Sequence, residues 1–260
     1  MKTGLQLYTV RDYMEKDFFG TIKKVAEIGF KGVEFAGYYD KDLKEVRKFI
    51  DDLGLICTSS HLGMPTKENY NKVCDELDIL GTKNWVINYC NFDTTEHFMD
   101  TFEKFKAASE LLATRGIKCL FHNHWLEHTQ KPFGKPFFEY GLENIDNLYS
   151  QLDLAWTLVG GYDPEERVKS YNDKIALLHC KDCKMETFES WSQKSATRIE
   201  TSISHQVPNG DGDAKIKECV AASKAEWAIV ELDFAEGSLW DAIEKSYKFL
   251  KEECGCEGNK

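Results

Sequence analysis

Residues 110–124 read ELLATRGIKCLFHNH, and they contain the unit from which the rest of the chain is built. ELLATR closes an amphipathic helix, and Gly116 stands where a residue just past a helix end needs a positive φ. IKCLF is a continuous apolar run, the pattern of a strand in a parallel sheet covered by helices. The polar HNH then ends the strand. The same helix–glycine–strand unit recurs in IKKVAEIGFKGVEF, VRKFIDDLGLICTSSH and VCDELDILGTKNWVINYC, with Gly29, Gly54 and Gly81 at the helix ends. In the second of these helices, Leu43, Val46, Phe49, Ile50 and Leu53 follow the spacing of one buried face.

Extending the pattern predicts eight strands near 3–9, 32–37, 55–61, 84–90, 117–124, 149–156, 175–181 and 227–233. Helices are predicted near 17–28, 41–53, 67–80, 94–115, 137–146, 164–171, 213–223 and 238–253. YDPEERV marks one helix start well, with Asp163 capping and Pro164 in the first turn. Eight βα units in 260 residues suit an α/β fold, a single (β/α)8 TIM barrel spanning 1–260. A doubly wound open sheet is the alternative. The longest irregular stretch is 183–212.

Composition narrows the function. The net charge is −11, from 33 basic and 44 acidic side chains, which repels nucleic acid and anionic lipid and excludes both as partners. No apolar run approaches a membrane span, and the opening MKTGLQLYTV reads as the first strand, so a cytoplasmic location is expected. Nine scattered cysteines, an odd number, also fit a reducing compartment. CKDC at 180–183 lacks a second pair, Cys180 reads as packing, and the tail CGC at 254–256 reads as a frayed terminus.

Barrel enzymes work at the carboxyl ends of their strands. Those ends offer Glu34, His61, Asn88 and Asn91, then His122, His124 and Glu127 in FHNHWLEH. Asp153 follows in QLDLAW, then His179, Lys181 and Asp182 in LLHCKD, and Glu231 and Asp233 in VELD. Carboxylates inside apolar strands are costly unless compensated. In a barrel, Glu127, Asp153, His179 and Glu231 converge, and one imidazole with three carboxylates suits one divalent ion. Mn2+ is expected, with Mg2+, Co2+ and Zn2+ also compatible.

The stretches GLQLYTVRD, GFKGVEFAG, FHNHWLEH, LDLAW, LLHCKD and VELD, in order along nearly the whole chain, resemble the xylose isomerase-like barrel superfamily. Its members include sugar phosphate isomerases and epimerases, inosose dehydratase and ketose 3-epimerases. The resemblance implies one divalent metal held by Glu127, Asp153, His179 and Glu231. It also implies that Glu127 and Glu231 exchange protons with a sugar bound between them, while His122 and His124 line or support the site. The implied activity is isomerisation or epimerisation of a keto-sugar or derivative, by removal of the proton α to a carbonyl through a metal-stabilised enediolate. His122, His124, His61 or Lys181 is available as a further acid.

Two departures shift that expectation. Trp156 stands where the ketose epimerases usually carry a histidine, and HCKDCKME supplies lysines where they carry an arginine. Trp125 and Trp156 suggest an apolar wall, joining Glu34, His61 and Asn88 as substrate-binding candidates. HNHxxE and DxxW also resemble a subset acting on 3-keto-glycosides, so the alternative is a lyase, eliminase or dehydratase on a 3-keto-glycoside or inosose. The catalytic subunit of C-glycoside deglycosidases is of that type and works with a small partner subunit; the assembly stays open between such a complex and a homodimer. NGDGD at 209–213 is a poor phosphate nest, because Asp211 and Asp213 oppose an anion. An apurinic-site endonuclease would need a basic groove. A non-catalytic sugar-binding barrel would not need the four-residue set.

Overall fold

In a computed structural model of the chain, which describes residues 1–87, 94–132, 134–185 and 205–259, the eight predicted strands are present and close on one another. They are β1 (Lys2–Gln6), β2 (Gly32–Ala36), β3 (Ile56–His61), β4 (Asn84–Ile87), β5 (Lys118–His122), β6 (Leu148–Asp153), β7 (Ile175–Cys180) and β8 (Trp227–Val230). Every neighbour pairs in parallel, and β1 pairs with both β2 and β8, so the barrel has no edge.

The helices pack outside, and their ends follow local chemistry. Asp163 accepts hydrogen bonds from the Glu165 and Glu166 amides and starts the helix Pro164–Tyr171, as its sequence predicts. Gly81 and Gly116 have φ of +74° and +64°, the left-handed geometry their positions require. Val46 and Ile50 of the helix Leu43–Asp52 are fully buried against the sheet. Inside the barrel, Val86, Leu120, Leu177, Trp227 and Ile229 form a separate apolar plug. Gly32 lets that plug close: a Cβ there would stand 2.7 Å from both the Thr58 methyl and the Trp227 ring.

Several predicted boundaries are corrected. β6 ends at Asp153, and Leu154–Val159 is a short helix, so Trp156 lies on that helix rather than at a strand end. β5 ends at His122, with Asn123 and His124 beyond it and a one-turn helix at Leu126–Thr129. β1 ends at Gln6 and turns into a 3-10 segment, Leu7–Val10. Within the irregular stretch, Asp182–Cys183 pairs antiparallel with Gln206–Val207.

The carboxyl-terminal tail is not frayed. The Thr3 amide donates to the Glu257 carbonyl at 2.9 Å, and the Glu257 amide donates to the Met1 carbonyl at 2.9 Å. The Asn259 amide donates to the Gly29 carbonyl at 2.7 Å, so the tail is bonded across the amino-terminal ends of the first strands. No helix among the described residues is long and apolar enough to cross a membrane.

A candidate metal centre at the carboxyl ends of the strands

Parallel register sets the predicted residues at matching heights. Gln6 pairs with Glu34 across β1 and β2, and Glu34 with Ser59 across β2 and β3. His122 pairs with Gln151 across β5 and β6, and Asp153 with His179 across β6 and β7. Alternation then points these side chains into the barrel mouth.

Four of them, His122, Asp153, His179 and Glu231, bring one ligand atom each to within 4.8 Å of one another, all buried. The His122 Nε2 lies 3.9 Å from both Asp153 Oδ2 and Glu231 Oε2. His179 Nδ1 lies 2.8 Å from Glu231 Oε2. Asp153 Oδ1 caps the following helix by accepting the Trp156 amide at 2.8 Å, but its Oδ2 is buried with no hydrogen-bond partner. Such an orphaned carboxylate oxygen is what a cation would satisfy. Two imidazoles and two carboxylates suit Zn2+, Mn2+ or Co2+. On both counts the residues fit a divalent ion.

The set differs from the expected one at a single member. Glu127, expected as the first ligand, lies on the short helix Leu126–Thr129, where its Oε2 accepts the His124 amide at 2.9 Å. The side chain that β5 contributes to the cluster is His122 instead, the last residue of the strand.

Around the cluster, Glu34 is fully buried and accepts from Gln6, Ser59 and Gln151. Its Oε1 is also 2.8 Å from both His179 Nε2 and His61 Nε2. Lys181 Nζ donates to Asp233 Oδ2 at 2.8 Å and lies 3.1 Å from Glu231 and 3.6 Å from Asp153. Gln206 in turn holds Asp233, donating to its Oδ2 at 2.8 Å and accepting its amide at 2.7 Å.

These contacts shape the charges. Burial alone would lower His179, but Glu34 and Glu231 on its two ring nitrogens raise it to about 10. Burial would raise Glu34, yet the charges of His61 and His179 hold it well below the carboxylate range. Burial raises Asp153 to about 6, with Lys181 opposing. Against burial, Lys181 and His179 keep Glu231 ionised, while burial keeps His122 neutral.

A pocket of about 210 Å3 opens onto this cluster, lined by Gln6, Tyr8, Ala36, His61, His122, His124, Lys181, Glu231 and Asp233. Of the expected substrate contacts, His61 lines it. Glu34 lies beneath it, tied to five donors. Trp125 and Trp156 pack at a tilt, with ring centroids 5.3 Å apart, in a buried cluster with Ala155, Val159 and Cys183, outside the pocket's lining. Asn88 lies outside the described residues. Gln6, Ser59, Gln151 and Gln206 were missed by the sequence reading. The signal for Gln151 was its place two residues before Asp153, on the same face of an apolar strand.

Comparison with known proteins agrees with the fold. A family model described as a xylose isomerase-like TIM barrel matches residues 22–253. An inosose dehydratase from Clostridium botulinum (strain Alaska E43 / Type E3) is 24% identical over 205 residues, covering 66% of this chain and 65% of that protein's length. A crystal structure of a sugar phosphate isomerase/epimerase from Parabacteroides distasonis ATCC 8503 is 23% identical, with a TM-score of 0.71, over 96% of this chain and 93% of that one. A structure of IolI protein with a bound zinc atom is 13% identical, with a TM-score of 0.73, over 98% of both chains.

Proposed function

The chain belongs to the xylose isomerase-like TIM barrel family, and from that premise we propose that it is a divalent-metal-dependent enzyme that removes a proton α to the carbonyl of a sugar or sugar derivative. The observation that carries this is the group His122, Asp153, His179 and Glu231, with an Asp153 oxygen that accepts no hydrogen bond, at the floor of a pocket of sugar size. A divalent ion held by these four supplies Lewis-acid stabilisation for the negative charge that develops as the proton leaves.

The chain's own groups do the proton transfer. Glu231 lines the pocket, stays ionised and serves as the base. Lys181, three-fold tied to carboxylates, keeps a fixed positive charge beside the developing anion. His124, beyond the end of the fifth strand, lines the pocket with Glu231 and returns a proton to the substrate. Return to the other face of the carbon gives epimerisation, and return to the neighbouring oxygen-bearing carbon gives isomerisation.

A second reading, elimination of a β-substituent, is favoured by one asymmetry. Glu127 does not line the pocket, so the two-glutamate exchange of an epimerase lacks one carboxylate there. One base and one acid suffice for dehydration, the activity named for the Clostridium botulinum relative. In elimination His124 protonates the departing hydroxyl or alkoxide.

The test is a screen of free sugars, inososes and 3-keto-glycosides with Mn2+ in D2O, following α-proton exchange and product. Exchange that requires metal and disappears in Glu231→Gln is expected. A protein that binds no divalent ion would overturn the proposal, as would a Glu231→Gln variant that exchanges at the parent rate.

A further inference from the structure

We propose that Glu34, acting with Gln151, is a positioning centre that selects which ring nitrogen each imidazole of the metal site presents: Nδ1 of His179 and Nε2 of His122. This inference rests on the metal-site reading above.

The argument is one of donors and acceptors. An ionised carboxylate only accepts, so every group on Glu34 must donate to it. His179 Nε2, 2.8 Å from Glu34 Oε1, therefore carries the hydrogen. Nδ1 also meets an ionised carboxylate, Glu231 Oε2 at 2.8 Å, but it is the nitrogen that faces the cluster, so it is the one that gives up its hydrogen to a bound cation. Gln151 donates its amide nitrogen to Glu34 Oε2, which fixes which end of that amide is which. Its Oε1 then points the other way and can only accept. Two ring nitrogens meet it: His61 Nε2 at 3.0 Å and His122 Nδ1 at 3.2 Å. His122 therefore carries its hydrogen on Nδ1, and Nε2 is the nitrogen left toward Asp153 and Glu231, 3.9 Å from each.

Gln6 and Ser59 complete the arrangement. Both donate to Glu34, one to each carboxylate oxygen, and hold it in place from the neighbouring strands. All of these groups except His61 are buried, so water does not offer an alternative set of partners. Partners of this kind outside the ligand shell hold ligand orientation, and their loss typically costs about 10- to 100-fold in metal affinity.

The experiment uses the full-length protein loaded with zinc and labelled with 15N at histidine. In the parent, two-bond 1H–15N correlations should report a metal-bound Nδ1 with a protonated Nε2 for His179, and the reverse for His122. Gln151→Met, close to the original in volume, removes the acceptor for His122. It should lower zinc affinity by about tenfold in chelator competition and alter the visible spectrum of the Co2+-loaded protein, while the His179 pattern persists. Glu34→Gln should disturb both histidines.

The opposite nitrogen assignment in the parent would overturn the inference while leaving the metal site intact. So would parent zinc affinity and an unchanged Co2+ spectrum in a folded Gln151→Met protein. A parent that takes up no zinc would overturn the metal-site reading as well. If Gln151→Met fails to fold, the parent correlations alone decide.

Discussion

The turn that carries NGDGD is wrapped around a buried anion from its own chain, and cutting that anion away has a size that can be worked out. Asp182 Oδ1 accepts the amides of Cys183 and Ala214, each at 3.0 Å. Its Oδ2 accepts those of Gly210 at 3.0 Å and Gly212 at 3.1 Å. A Cβ at Gly212 would collide with the Asp182 carboxylate and the Cys183 carbonyl, so the glycine is required by the close approach. Asp182→Ala leaves four amides without this acceptor. The Cys183 and Ala214 amides are buried and cost about 1 kcal/mol each, and the part-buried Gly210 and Gly212 amides, which water can reach, cost about half that, so the loss is about 3 kcal/mol. For a chain of this length that lowers Tm by about 6–12 °C. The effect should extend to the pocket, because the same segment holds Gln206, which holds Asp233, which holds Lys181. Thermal unfolding gives the first number, and amide hydrogen exchange at Gly210, Gly212 and Ala214 localises it. A Tm within about 3 °C of the parent, with those three amides still protected, would refute the reasoning.

Other outcomes follow from the same contacts. Glu127→Ala should cost about 1 kcal/mol, the worth of a capping bond to the His124 amide, and leave zinc content unchanged, whereas His122→Ala should strip the metal; metal analysis of the two proteins separates the ligand from the cap. Trp156→Ala should destabilise by about 3–5 kcal/mol in urea unfolding, because the ring is buried against Trp125, while Trp156→Phe keeps most of that stability. Ending the chain at Cys256 removes the backbone bonds of Glu257 and Asn259 with Met1, Thr3 and Gly29 and should cost about 3 kcal/mol, read as a lower Tm with little change in metal affinity. His179, raised to about 10, stabilises the metal-free protein fully below its unfolded pKa and loses that contribution as pH rises through about 10. Between those limits metal uptake must displace its Nδ1 proton, so calorimetry at pH 7.5 in buffers of different ionisation enthalpy should register about one proton released, and affinity should rise with pH.

The sequence carried the architecture because the signals that define it are local. A helix end needs a glycine at positive φ, a helix start needs a cap, and a strand covered on both faces is apolar throughout, so each βα unit can be recognised from its own residues. Where a boundary failed, two local signals coincided. LDLAW continues the apolar run of β6, and composition alone does not separate a buried strand from a buried helical turn. Asp153 decides it, since its Oδ1 caps the turn that begins at Leu154. Asp153 thus does two things at once, capping with one oxygen and offering the other to the barrel axis. That β5 brings His122 rather than Glu127 to the cluster lay beyond spacing arguments. It depends on where β5 ends, and the chain leaves the strand at Asn123, so that Glu127 folds back onto the His124 amide.

Inward parity along the strands recovers most of what the motifs missed. Counting back two residues from His122, His179 and Glu231 reaches Leu120, Leu177 and Ile229, the apolar plug of the barrel. Counting back two from Asp153 reaches Gln151. Counted from each strand's own cluster residue, β6 therefore carries a fully buried amide at the position that β5, β7 and β8 fill with Leu, Leu and Ile. Burying an amide is unfavourable unless its donors and acceptor are all matched. Here they are matched by Glu34 on one side and by His61 and His122 on the other. An apolar residue at 151 would fill the plug without that cost, but it would leave His122 free to rotate or to change tautomer. The buried amide is thus explained by the ring it holds, and the candidate cation site beside it includes that ring.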